Sequence, residues 1–147
     1  MKLSTKTRYG LRILLQIAYD TENNPKASVK GKTISEKQDV SEAYLEQIMI
    51  PFKTAGFIKT VRGCNGGYAL NKTPEQISVL DVIELFEGKI NLVKCNEDNE
   101  KCDKVETCPV TRTWTRISDA LRKEAASITL AYLLEEMKKG TQLEYVI

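Results

Sequence analysis

The chain contains no histidine. That absence removes Ser-His-Asp and Cys-His nucleophile pairs, His-containing zincin motifs and every imidazole metal ligand at once. Long hydrophobic runs are missing as well, and no stretch reaches the roughly 18–20 uninterrupted apolar residues that a membrane span needs. Residues 1–19 offer a basic head and then Leu-Arg-Ile-Leu-Leu-Gln-Ile-Ala-Tyr, but Arg12 and Gln16 interrupt the run. Asp20-Thr-Glu follows where a signal peptide would carry small residues. The expectation is a cytoplasmic protein with no membrane partner, whose four cysteines are thiols or metal ligands before they are disulfides. Net charge is also small: 22 basic and 20 acidic residues leave +2, which neither demands nor excludes nucleic acid.

What is present suffices for a folded unit. In 147 residues, 41% are apolar and 29% charged, enough to bury a core and too short for a tandem architecture. The charge is unevenly spread. Lys2, Lys6, Arg8 and Arg12 precede the first acid, and positions 47–74 hold Lys53, Lys59, Arg62 and Lys72 with no acid at all. Between positions 81 and 108 the sign reverses, with eight acids against four lysines. A basic N-terminal half is the distribution of a chain that turns one face to a polyanion, although charge runs alone are often only solvated faces.

Leu11, Leu14, Leu15 and Ala18 recur at helical spacing after a capping Ser4 or Thr5, and Asn23, Asn24 and Pro25 should end this first helix. A short second helix over 32–38 carries Ile34 inward, and Asp39-Val40 forms a turn. Ser41 caps a third helix whose Leu45, Ile48 and Phe52 share a face. Pro51 should kink it or begin a new helix, and Ala55-Gly56 closes it. Two β-prone runs, 57–61 and 68–70, flank Arg62-Gly-Cys-Asn-Gly-Gly and read as a hairpin. A further helix fits 78–86, stopped by Gly88. Val110, Trp114, Ile117, Leu121, Ala125 and Ile128 then form nearly a heptad seam, and Leu130, Leu133, Leu134 and Met137 mark a last short helix.

Helix, short helix, turn, helix and hairpin is the order of a winged helix-turn-helix, a mainly α fold with a small β-hairpin wing (α+β). In that fold the third helix enters the major groove while the basic hairpin lies along the backbone or enters the minor groove. Ser41, Tyr44, Glu46 and Gln47 are the candidate DNA-contacting groups on the helix, and Arg62 is the candidate on the wing. Arg8, Lys53 and Thr60 complete the set. Residues 1–74 would form the DNA-binding region, and 75–147 a cysteine loop with dimerisation helices, the two making one compact unit. A chain this short has little left to cover both sides of the long seam helix, so it reads as a pairing helix of a homodimer on a double-stranded operator.

Cys95, Cys102 and Cys108 form C-x6-C-x5-C in a polar, turn-rich segment. Three thiols so bunched suit iron in a cluster, or zinc, although the spacing is too open for a C-x2-C zinc knuckle. Cys64 at the hairpin tip reads as a tolerated small residue, with a redox-active thiol beside Arg62 as the alternative.

The segments Met1-Lys-Leu-Ser-Thr-Lys-Thr-Arg-Tyr-Gly, Tyr44-Leu-Glu-Gln and Val61-Arg-Gly-Cys-Asn-Gly-Gly-Tyr resemble the winged-helix regulators of the Rrf2 family, as do the three cysteines and the long helix after them. The resemblance implies a homodimeric transcription regulator, not an enzyme, that senses cluster, redox or sulfur status through an iron-sulfur cluster (2Fe-2S or 4Fe-4S) on Cys95, Cys102 and Cys108. It implies base contacts by Tyr44, Glu46 and Gln47 and a minor-groove contact by Arg62. Ala43 departs from a serine of cluster-binding members, so operator preference does not carry over. Neither does the fourth cluster ligand: the position of one branch's histidine is Thr111 here, and that of another's aspartate is Arg8. Asp103 and Glu106 are the nearest carboxylates, and a weakly held corner there would make the cluster labile. Gain or loss of the cluster would reorder the loop and tilt the dimer helices. The competing readings are a cluster-free regulator using thiols or zinc, and an iron-sulfur electron-transfer protein.

Overall fold

The computed structural model describes residues 1–24, 26–97 and 102–144. Six helices and one hairpin follow in the order α1 (Thr5–Thr21), α2 (Gly31–Gln38), α3 (Glu42–Thr54), β1 (Ile58–Val61), β2 (Gly67–Leu70), α4 (Val79–Glu87), α5 (Pro109–Ser127) and α6 (Leu130–Glu144). This is a winged helix-turn-helix with two long C-terminal helices. No helix among the described residues is long and apolar enough to cross a membrane.

Local chemistry sets most boundaries. The Ser4 hydroxyl accepts the Thr7 N–H at 3.2 Å and so begins α1. The helix stops at Thr21, slightly before the expected asparagines, and Pro25 lies outside the described residues. Asp39 adopts the left-handed conformation (φ 53°) between α2 and α3, its N–H returning to the Glu36 and Ser35 carbonyls. Ser41 caps α3 through the Tyr44 N–H at 3.1 Å. Ser78 and Asp81 form a reciprocal capping box at α4, which Gly88 (φ 81°) ends.

Three expectations are corrected. Helix α3 continues through Pro51 as one element rather than beginning anew there, because Ile48, Met49 and Phe52 around it are buried and hold the last turn in place. The inward face of α1 is centred on Ile13, Leu14, Ile17 and Ala18, with Leu11 and Leu15 half-buried beside it. That face is wide because α1 is wrapped by α2, α3, β2, α4 and α6. The last helix is 15 residues long rather than short, and its Leu130 and Leu134 enter the same core as Ile13, Ile34, Ile48 and Phe52.

The hairpin is antiparallel with Thr60 opposite Tyr68 and Val61 opposite Gly67. Tyr68 also exchanges two backbone hydrogen bonds of 2.8 Å with Val29, which ties the wing to the segment before α2. A Cβ on Gly67 would stand 2.2 Å from the Val29 carbonyl oxygen, so only glycine admits this pairing.

Candidate nucleic-acid interface and cysteine loop

Helix α3 packs Leu45, Ile48, Met49 and Phe52 inward, which leaves Ser41, Glu46, Gln47 and Lys53 exposed on the other side. Ile50 shares this exposed side and is 58% accessible. Sequence reading passed over Ile50, although its spacing from Glu46, Gln47 and Lys53 places it on their face. In DNA recognition, such an apolar group matches a thymine methyl.

The wing stands beside this helix. Lys59, Thr60 and Arg62 are exposed, Arg62 at the start of the tip. Gly63 takes φ 111°, and the Ser28 hydroxyl donates to the Asn65 carbonyl at 2.7 Å, anchoring the tip from below. Burial raises the Tyr68 phenol above its ordinary pKa, and the nearby charge of Glu46 raises it further. The charge of Glu46 on α3 thus reaches Tyr68 on the wing, and Tyr68 was not among the expected site residues. Arg8 is exposed on α1, its guanidinium 3.4 Å from the Thr5 hydroxyl.

Tyr44 is placed differently from its expected role. Its ring packs edge-on against Tyr9, centroids 6.0 Å apart, and its hydroxyl is buried without a hydrogen-bond partner among the described residues. Arg12 in turn lies over the Tyr9 ring at 5.0 Å. In this arrangement Tyr44 braces α3 against α1 rather than offering its hydroxyl to a base edge.

Beyond α4 the chain crosses to α5. The Ser118 hydroxyl, on a buried position of α5, accepts the Leu92 N–H at 3.1 Å and holds down the segment leading to Cys95. Cys95 is half-buried in a single 3-10 turn, Lys94–Asn96, and Cys102 is exposed. Cys108 occupies the N-cap position of α5 with Pro109 behind it. The Thr111 hydroxyl first, then the N–H groups of Thr111 and Val110, hold the Cys108 thiol below its ordinary pKa. A thiol whose deprotonation is favoured suits a soft metal. The arrangement does not: among the described residues, no three of the Cys, Asp and Glu side chains come together as one metal-binding group.

Helix α5 turns small polar groups inward and its apolar seam outward. Thr111 and Ser118 are buried, whereas Val110, Trp114, Ile117 and Leu121 are 55%, 39%, 40% and 38% exposed.

Comparison with known proteins agrees with this architecture. The family model described as "Rrf2: Iron-dependent Transcriptional regulator" matches residues 3–136. The HTH-type transcriptional regulator CymR of Bacillus subtilis (strain 168) is 38% identical over 130 residues, covering 88% of this chain and 87% of that protein. The solved structure of CymR, described as the global cysteine regulator of B. subtilis, superposes with a TM-score of 0.75 at 36% identity over 92% of this chain and 98% of that one. The structure of T. potens IscR superposes with a TM-score of 0.76 at 31% identity, covering 95% and 90% of the two chains. With the winged fold, the motifs and these likenesses together, the chain belongs to the Rrf2 family of transcriptional regulators.

Proposed function

We propose that this chain is a homodimeric transcription regulator that binds a double-stranded operator through α3 and the wing. One observation carries the reading: the exposed face of α3 bearing Ser41, Glu46, Gln47 and Lys53 packs beside a wing bearing Thr60 and Arg62. Glu46 and Gln47 offer groups for base edges, while Arg62, Lys53 and Arg8 supply positive charge for phosphate or the minor groove. The role is binding rather than catalysis. The outward apolar seam of α5 supports pairing with a second copy, since a row of exposed apolar side chains from Val110 to Leu121 is costly in a monomer.

The cysteine loop is the sensory element in this reading, with Cys95, Cys102 and Cys108 as the thiols that would hold an iron-sulfur cluster. Such a cluster supplies one-electron chemistry and reactivity toward oxidants when bound. The donor set and the lowered pKa of Cys108 support it. Among the described residues the three thiols do not come together as one metal-binding group, which counts against it. Anaerobic purification followed by iron and sulfide analysis, and selection of bound fragments from a random DNA library, test the two parts separately. Iron-free protein that still selects a sequence leaves a thiol-based regulator, and protein that selects no sequence refutes the operator reading.

A further inference from the structure

We propose that the cleft between the end of α1, the base of the wing and the start of α6 is an effector site for a small amphipathic cation. The cleft has a volume of about 560 Å³, inside the range of roughly 300–1,000 Å³ of small-molecule sites. It is distinct from the α3–wing face and from the cysteine loop. Four alanines, Ala18, Ala27, Ala69 and Ala131, drawn from four separate segments, are among its lining residues. Protein interiors are close-packed, so small side chains at four lining positions leave room that larger ones would take up.

Charge selects the occupant. Glu22, Glu75 and Glu135 stand around the cleft, whereas Lys72 is the basic residue among the described residues that line it. Lys72 is diverted, its ammonium lying 4.7 Å from the centre of the Phe57 ring. Lys138 pairs with both Glu22 and Glu135, which leaves Glu75 as the carboxylate with no ion pair among the described residues. An apolar floor with an unpaired carboxylate at its edge matches a molecule with a hydrophobic body and one ammonium group. It disfavours an anion of the same size.

The position of the cleft gives the site a consequence. Ala69 and Leu70 belong to β2, and Asn71 continues from it, donating its side-chain N–H to the Gly56 carbonyl at 3.1 Å. One wall of the cleft is thus the base of the wing, and an occupant shifts the operator affinity. This second claim rests on the DNA-binding reading above.

The test is titration calorimetry of the full chain at low salt with phenethylammonium, using phenethyl alcohol and phenylacetate as neutral and anionic comparators. Saturable binding of the ammonium, at least about tenfold tighter than either comparator, is expected from one charge-assisted hydrogen bond. Glu75→Gln should weaken it about threefold to tenfold. Ala131→Trp should abolish it, and Ala27→Leu closes the same space from the loop should the tryptophan variant fail to fold. Equal binding of the three compounds, no saturation, or binding that survives filling of the cleft in a folded variant overturns the site. The selected operator fragment is then titrated with and without the ammonium. An unchanged affinity overturns the effector role. Protein that selects no operator fails the regulatory reading, while the calorimetry still decides the site.

Discussion

Glu87, the last residue of α4, accepts the backbone N–H of Ser4 at 2.8 Å across 83 positions of sequence. The Thr7 hydroxyl donates to the same carboxylate oxygen. The first turn of α1, which carries Arg8, is thereby tied to the helix that leads into the cysteine loop. Glu84, one turn earlier, pairs with Arg122 of α5 at 3.3 Å. The C-terminal half of α4 thus ties the start of α1 and helix α5 to one another.

The Ser4 hydroxyl, the Thr7 hydroxyl and then the Ser4 N–H hold the Glu87 pKa below its ordinary value. A depressed folded-state pKa gives stability that is present above the ordinary carboxylate range and is lost as pH falls through the depressed value. Glu87→Gln should therefore lower the unfolding free energy near neutral pH by less than about 1 kcal/mol, since the group is exposed and screened. Denaturant melts of both proteins should converge in acid; a gap that persists after Glu87 is protonated contradicts the carboxylate's role.

Gly10 lies where α1 meets two aromatic rings. A Cβ there would stand 2.8 Å from Phe86 Cε2 and 3.0 Å from Phe52 Cζ, and those rings already pack edge-to-face at 5.2 Å. Overpacking costs about 1–3 kcal/mol, offset by up to about 1 kcal/mol of helix propensity. Gly10→Ala should thus destabilise by about 1 kcal/mol net. Adding Phe86→Leu should recover part of that loss in a double-mutant cycle, and strict additivity would rule out the clash.

Arg62→Ala should weaken operator binding by about 1–3 kcal/mol and flatten its salt dependence. Glu46→Ala should instead change which sequences are selected, because a carboxylate near base edges accepts from cytosine and repels phosphate. Fluorescence anisotropy over a site library separates the two. A uniform loss of affinity for the Glu46 variant would remove it from base reading.

Trp114→Glu together with Leu121→Glu should yield a folded monomer, as both side chains face outward in a single chain. Sedimentation velocity reads the oligomeric state and circular dichroism the fold. A dimer that survives both charges places the interface elsewhere.

Replacing Cys95, Cys102 and Cys108 by alanine should remove bound iron while leaving the assembly intact, because the apolar seam lies on α5 itself. Cys64→Ala, at the exposed wing tip, should leave iron content unchanged. Loss of iron from the Cys64 variant would make it a ligand.

Much of the fold is legible in sequence because it is decided by neighbours along the chain. Ser4, Ser41 and Ser78 cap helices through N–H groups three residues away, and Gly88 ends α4 through its own backbone freedom. The spacing of Leu45, Ile48 and Phe52 likewise marks the buried side of α3. Other properties depend on partners distant in sequence. Pro51 suits a kink or the start of a new helix, yet α3 continues through it as one element with Ile48, Met49 and Phe52 buried around it. Tyr44 carries a hydroxyl that suits a base edge, and only the approach of Tyr9 from α1 turns it inward. The seam of α5 is readable as apolar, yet its outward direction is decided by Ser118 holding the Leu92 N–H beneath the helix. Capping and periodicity act within one or two turns, whereas burial is a property of whichever surfaces meet, and those meet only when the chain has folded.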